Sequence, residues 1–247
     1  MATKKNETPP LRGDMYLNLE IRKATNVDDP SGKGNVDPYC VVTCGKHKEQ
    51  TDTCANTMDP VWMTSFIFGK KYPLNKGDKC EITVLDNNGL VGTTTLGTVT
   101  VDIGAVLNKP REDAWLPIQG GRGKLYIEYE CLDKHPDVLF SGFLDKQGGG
   151  LGGRKSWNKR YFVLTDRNLS YYKTKEDFEK GSKPAGVILL NAYFVCNTEN
   201  KDACEFMIHS YPKSLICRAD SPKTMLDWMS ELRAPMSHFS GLGYDED

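Results

Sequence analysis

No stretch of about 18 consecutive apolar residues occurs anywhere in the chain, so no membrane-spanning helix is expected. Charge of one sign is also missing. Across 247 residues, 32 Lys and Arg stand against 33 Asp and Glu, a net charge of −1. A whole-chain attraction to nucleic acid is therefore excluded. The opening segment, Met1 to Pro10, is polar and lacks the apolar core of a secretory signal. Ala2 stands where N-myristoylation needs Gly, and the terminal Asp245-Glu246-Asp247 is no prenylation box. The eight cysteines form no Cys-x-x-Cys pair, and the four histidines are scattered, so a zinc cluster is not expected. The thiols read as reduced and mostly buried, as in an intracellular protein.

What the sequence does contain is a succession of short alternating segments. Leu17, Leu19 and Ile21 alternate with Tyr16, Asn18 and Glu20; Ile82 and Val84 alternate with Glu81 and Thr83. Leu125, Ile127 and Tyr129 alternate with Tyr126, Glu128 and Glu130. A period of two predicts half-buried strands with these polar residues outward. Turn clusters such as Asp28-Asp29-Pro30-Ser31-Gly32 and Asp86-Asn87-Asn88-Gly89 separate them. The first half thus reads as an antiparallel sandwich without helices. A polar joint, Asp133 to Asp137, leads to a second set of strands: Gly142–Lys146, Trp157–Thr165, Asn168–Thr174, Gly186–Leu189, Tyr193–Asn197, Cys204–His209 and Ser214–Ala219. A helix closes the set. Ser221 is placed to cap it, Pro222 suits its first turn, and Met225, Trp228, Met229 and Leu232 share one face. Seven strands and one amphipathic helix predict a small barrel with one end plugged.

Two blocks in the first half carry a family resemblance. Asp37-Pro38-Tyr39 opens a strand, and Thr57-Met58-Asp59-Pro60-Val61-Trp62 precedes Phe66-Ile67-Phe68. In this order, within one β-rich unit, they resemble a C2 domain, over roughly Gly13 to Cys131. The resemblance implies an eight-stranded sandwich over 13–132, with calcium ligands from loops at one end. Asp29 (or Asp28), Asp37 and Asp86 match ligand positions, but Asn88 and Thr94 stand where further carboxylates are usual. The site would be about two charges short, so the resemblance implies weak or absent calcium binding and no required cofactor. These Asp residues are equally what tight turns select. The lysine cluster with which some C2 domains grip headgroups is replaced here by Val41, Thr43, Gln50 and Asp52. At the tip of the third loop, Leu90 and Val91 stand where the family dips loops into a bilayer; packing beneath the loop is the alternative.

In the second half, Phe140 to Lys146, then Trp157-Asn158-Lys159-Arg160-Tyr161-Phe162-Val163-Leu164, then Leu169-Ser170-Tyr171-Tyr172-Lys173, resemble a pleckstrin-homology (PH) domain over Val138 to Ala234. Trp228 in the last helix belongs to the same pattern. The resemblance implies a seven-stranded barrel capped by a C-terminal helix, with anionic headgroups held at its open end. Between Lys146 and Lys183 there are ten basic residues against four acidic ones, a local excess suited to an anionic surface. The headgroup set implied is Lys146, Arg154, Lys155, Lys159, Arg160, Tyr172 and Lys173, with Asn158 where a basic residue is usual. The glycines of Gly149 to Ser156 fall short of a nucleotide-binding loop, because Arg154 replaces the needed Gly and a strand follows instead of a helix.

The expectation is therefore a mainly β, two-domain, non-enzymatic adaptor, cytoplasmic and reversibly at a membrane surface. Its expected partners are anionic phospholipids or phosphoinositides. Residues 1–12 and 235–247 are expected to be flexible extensions. A protein-binding scaffold without a lipid role is the alternative, and a catalytic reading finds no nucleophile–base constellation to rest on.

Overall fold

The computed structural model describes residues 15–30, 32, 36–69, 72–89, 92–148, 156–190, 194–210 and 213–235. Its first half holds eight strands: β1 (Tyr16–Thr25), β2 (Pro38–Cys44), β3 (His47–Gln50), β4 (Val61–Phe68), β5 (Lys79–Asn87), β6 (Thr93–Asp102), β7 (Glu112–Pro117) and β8 (Lys124–Leu132). They form two antiparallel sheets, ordered β4-β1-β8-β7 and β3-β2-β5-β6. Leu17, Leu19, Ile21, Leu125 and Ile127 meet Cys40, Val42, Ile82 and Val84 in the core between the sheets. A one-turn helix, α1 (Ile103–Val106), interrupts what the sequence predicts as purely β; the Asp102 side chain accepts a hydrogen bond from the Ala105 amide at 3.0 Å and so starts the turn.

The second half continues with β9 (Val138–Gly148), β10 (Ser156–Thr165), β11 (Asn168–Tyr172), α2 (Lys175–Glu179), β12 (Gly186–Leu189), β13 (Phe194–Asn200), β14 (Glu205–Ser210), β15 (Lys213–Arg218) and α3 (Pro222–Arg233). The seven strands form one antiparallel sheet, ordered β12-β11-β10-β9-β15-β14-β13. The Ser221 side chain caps α3 by accepting from the Thr224 amide at 3.1 Å. That helix turns Met225, Trp228, Met229 and Leu232 onto Phe162, Leu164, Phe206 and Ile208. The Trp228 ring stands edge-on to Phe140 at 4.8 Å between ring centres. Helix α2 was not expected; Thr174 and Asp177 form a reciprocal capping box at its start. It lays Phe178 over Tyr161 and Tyr172 on the outside of the barrel.

The main departure from the alternating pattern is on β1 and β8. Asn18, Glu20, Glu128 and Glu130 were expected to face water, yet each is 6% exposed or less. The outer face of the β4-β1-β8-β7 sheet is covered by the barrel. Glu20 and Glu128 lie directly opposite each other in the β1–β8 ladder, as do Asn18 and Glu130. Two like charges so placed repel. Arg22 resolves this by pairing with both, at 3.0 Å to Glu20 and in a shorter contact to Glu128. Arg111 pairs with the other oxygen of Glu128 and donates across the junction to the Leu190 carbonyl at 2.6 Å. Arg167, from the barrel, reaches Glu130 at 3.0 Å. Asn168 donates to the Tyr16 hydroxyl, and burial pushes that phenol well above its ordinary range.

Removing one member of such a layer leaves buried charge uncompensated. Glu128→Ala strips Arg22 and Arg111 of their shared partner and is expected to cost about 3–5 kcal/mol of unfolding free energy, measured by chemical denaturation. A loss under about 1 kcal/mol, the level of an exposed pair, would contradict the layer. Glu130 behaves differently. Burial raises its pKa against the pull of Arg167 and Arg111. The fold therefore holds this proton more tightly than the unfolded chain does. The contribution to stability is present at acid pH and fades as pH rises through the raised value. Glu130→Gln is expected to flatten that part of the stability–pH curve and to cost less at neutral pH than Glu128→Ala.

Candidate functional site

The open end of the barrel, away from α3, gathers three of the residues named from the sequence and one that was not. In the β9–β10 ladder Lys146 faces Asn158, and Arg160 faces Leu144. Phe162 and Leu164 point into the barrel core, so alternation sets Asn158 and Arg160 on the inner side of β10, above them. Lys146 lies over the Tyr171 ring at 5.5 Å from its centre. Tyr171 stacks at 5.3 Å on Phe162, which fixes it on the same inner side. The same proximity acts on two neighbouring acids. Burial raises the Tyr171 phenol while Arg160 pulls it down. Burial likewise pushes the Cys217 thiol up to about 12 while Lys146 opposes it. Lys146 and Arg160 are half-buried, and each donates to a main-chain oxygen: Lys146 to the Gln147 carbonyl at 3.3 Å, and Arg160 to the Lys159 carbonyl at 2.8 Å. Lys173 is exposed just beyond β11.

Two of the expected headgroup residues lie elsewhere. Tyr172 is 3% exposed and packs on the outside of the barrel against Phe178. Its neighbour Tyr171, of opposite parity, takes the inner position. Lys159 also faces outward, with its ammonium 5.2 Å from the centre of the Phe143 ring. The sequence named Tyr172 in place of Tyr171, and Lys159 along with Arg160, because a block of side chains shows no inside or outside until the core fixes the parity. Also on the outer side, the Arg218 guanidinium stacks 3.9 Å from the centre of the Trp157 ring and pairs with Glu205 at 2.9 Å. Arg154, Lys155, Leu90 and Val91 fall outside the described residues.

At the loop end of the sandwich, Asp37 and Asp86 do converge. The Asp37 amide donates to Asp86 Oδ1 at 2.7 Å, and Asp37 Oδ1 accepts from the Asn56 amide at 2.7 Å. Asn88 donates to the Thr94 hydroxyl at 2.9 Å. The Asp29 amide donates to Asp28 Oδ1 at 3.1 Å, and Arg122 stands 3.8 Å from that oxygen.

A family model described as the C2 domain matches residues 15–118, and one described as the PH domain matches residues 138–237. The chain is a C2 domain followed by a PH domain. Among curated relatives, an ankyrin-repeat, PH and SEC7 domain protein of Dictyostelium discoideum is 40% identical over 104 residues, 42% of this chain and 10% of the relative. Extended synaptotagmin-1 of Rattus norvegicus is 27% identical over 136 residues, 53% of this chain and 12% of the relative. The chain therefore spans about a tenth of either relative's length. The solved C2A domain of a plant extended synaptotagmin 1 superposes with a TM-score of 0.44 at 16% identity, covering 51% of this chain and 99% of that one.

The calcium chemistry that C2 domains can carry fits this C2 domain poorly. Calcium takes six to eight oxygens, several of them carboxylate. Here Asp86 and Asp37 each hold a main-chain amide, Asn88 and Thr94 bond each other, and Arg122 already brings positive charge to Asp28. Among the described residues, no group of three or more His, Cys, Asp or Glu is placed to hold a metal ion. Calorimetric titration with calcium is expected to give a dissociation constant of about 10⁻⁴ M or weaker; micromolar affinity would contradict this.

Proposed function

We propose that this chain is a membrane-surface adaptor whose PH domain receives a phosphorylated anionic headgroup between Lys146, Arg160 and Tyr171, with its C2 domain assisting attachment. The observation that carries the reading is the mouth of the barrel. An ammonium and a guanidinium sit there over an aromatic floor, neither in an ion pair with a carboxylate among the described residues. Cations held this way exchange a main-chain carbonyl for a phosphate oxygen at little cost, and Arg offers the planar fork that phosphate accepts in two bonds. The reading is non-catalytic and places the chain at the cytoplasmic side of a membrane. In support, no helix among the described residues is long and apolar enough to cross a bilayer.

Arg160→Ala is expected to weaken binding to vesicles containing phosphatidylinositol bisphosphate by roughly ten- to a hundredfold, as loss of a charge-assisted contact implies. Lys159→Ala, on the outer side, is expected to change it severalfold at most. Co-sedimentation at two salt concentrations measures both, and attachment should weaken as salt rises. An Arg160→Ala protein that stays folded and binds as the parent does would overturn the site. A parent that binds no anionic vesicle would favour the scaffold reading instead, with the exposed Val138, Leu139 and Phe143 as the contact.

A further inference from the structure

The junction of the two domains forms a second basic recess, separate from the barrel mouth. The β2–β3 turn of the C2 domain brings Lys46 and Lys48 to one wall. The segment between α2 and β12 of the PH domain brings Lys180 and Lys183 to the other. Tyr72 and Glu49 also line it, and its volume is about 500 Å³. That lies inside the range of small-molecule sites, about 300–1,000 Å³. Among the described residues Glu49 is the one carboxylate in the lining, and it is paired with Lys183 across the junction. Four ammonium groups against one carboxylate leave a surplus of about three positive charges in a concave site, where the local field is strongest. Neither domain alone assembles this set.

We infer that this recess is a composite binding site for a compact, multiply phosphorylated anion, such as an inositol polyphosphate. Four flexible point charges without an arginine fork suit phosphate oxygens better than a single planar carboxylate. A second groove adjoins the recess. It is lined by Tyr171 and Leu215 at the barrel end and shares Glu49, Ile67, Lys183 and Pro184 with the basic recess. Tyr171 is the ring beneath Lys146, so this groove runs from the mouth to the junction; its charged lining, among the described residues, is the Glu49–Lys183 pair. The chain thus presents two phosphate sites on one track, and the junction site does not depend on the mouth being one.

Titration of the full chain with inositol hexakisphosphate tests this. The double variant Lys146→Ala/Arg160→Ala is expected to retain one saturable site. Adding Lys46→Gln, Lys48→Gln and Lys180→Gln, all exposed side chains, is expected to weaken that site roughly tenfold or more. Replacing the same three by Arg should keep it. An equal loss of charge at Lys76, Lys109 and Lys201, which are exposed elsewhere, should leave it within about twofold, because long-range attraction is screened. Competition between inositol hexakisphosphate and vesicles containing phosphatidylinositol bisphosphate then identifies the source. Displacement from vesicles marks a lipid headgroup, and binding without displacement marks a soluble anion. A mouth variant with no remaining saturable site, or glutamine variants that bind as their background does, would overturn the inference. A mouth variant that binds as the parent does would instead count against the barrel-mouth reading alone.

Discussion

Three buried carboxylates on the outer face of the C2 sheet govern how this molecule is put together. Glu20, Glu128 and Glu130 sit on adjacent strands with their backs to the sandwich core. In a free C2 domain that face would be wet and the carboxylates would be solvated. Here the PH barrel removes the water, and burying a charge is costly unless it is paired. Arg22 and Arg111 answer from within the C2 domain, and Arg167 answers from the barrel. Desolvation consumes most of the Coulombic gain in such a layer, so it adds little net strength. Its effect is on geometry. A barrel docked one register away would leave Glu130 without Arg167 and Arg111 without the Leu190 carbonyl, and each orphaned group would carry its full burial penalty.

That constraint explains what could and could not be read from the sequence. Leu17, Leu19 and Ile21 announce an inward face, and the core confirms them because an apolar side chain has only one destination. The capping Ser221 and the Met225–Trp228–Met229–Leu232 stripe place α3 with equal clarity. Asn18, Glu20, Glu128 and Glu130 mislead for the same physical reason. A polar residue alternating with apolar ones marks the other face of a strand, but says nothing of whether that face meets water or another domain. The cations that enter the layer are all Arg (Arg22, Arg111, Arg167), the residue suited to buried pairs, but only the fold brings them together.

Which strands carry the candidate site was legible in the sequence, but which side of each strand a residue takes was not. The block Trp157 to Leu164 and the pair Tyr171-Tyr172 were found, with Lys159 and Arg160 both named and Tyr172 named in place of Tyr171. Once Phe162 enters the core, parity places Arg160 inward and Lys159 outward. Once Leu169 does so, Tyr171 follows inward and Tyr172 must pack outside, where α2 waits with Phe178. Two core residues thus decide four assignments. The basic recess was beyond reach for a different reason. Its lysines are more than a hundred residues apart in sequence, and only the docking of the two domains makes them neighbours.

A fixed junction changes how two weak sites act together. With a flexible joint, the second contact with a membrane is governed by linker length and is diluted by every orientation that cannot reach the surface. In this molecule the buried layer removes most of those orientations, so the loss of rotational freedom on the second contact is met during folding and not during binding. The gain is available only if the barrel mouth and the other attachment point face the same surface. The groove running from Tyr171 to Lys183 keeps the mouth and the junction on one continuous side of the molecule. If the junction recess takes a lipid headgroup, the fold has already aligned that second point of attachment with the first.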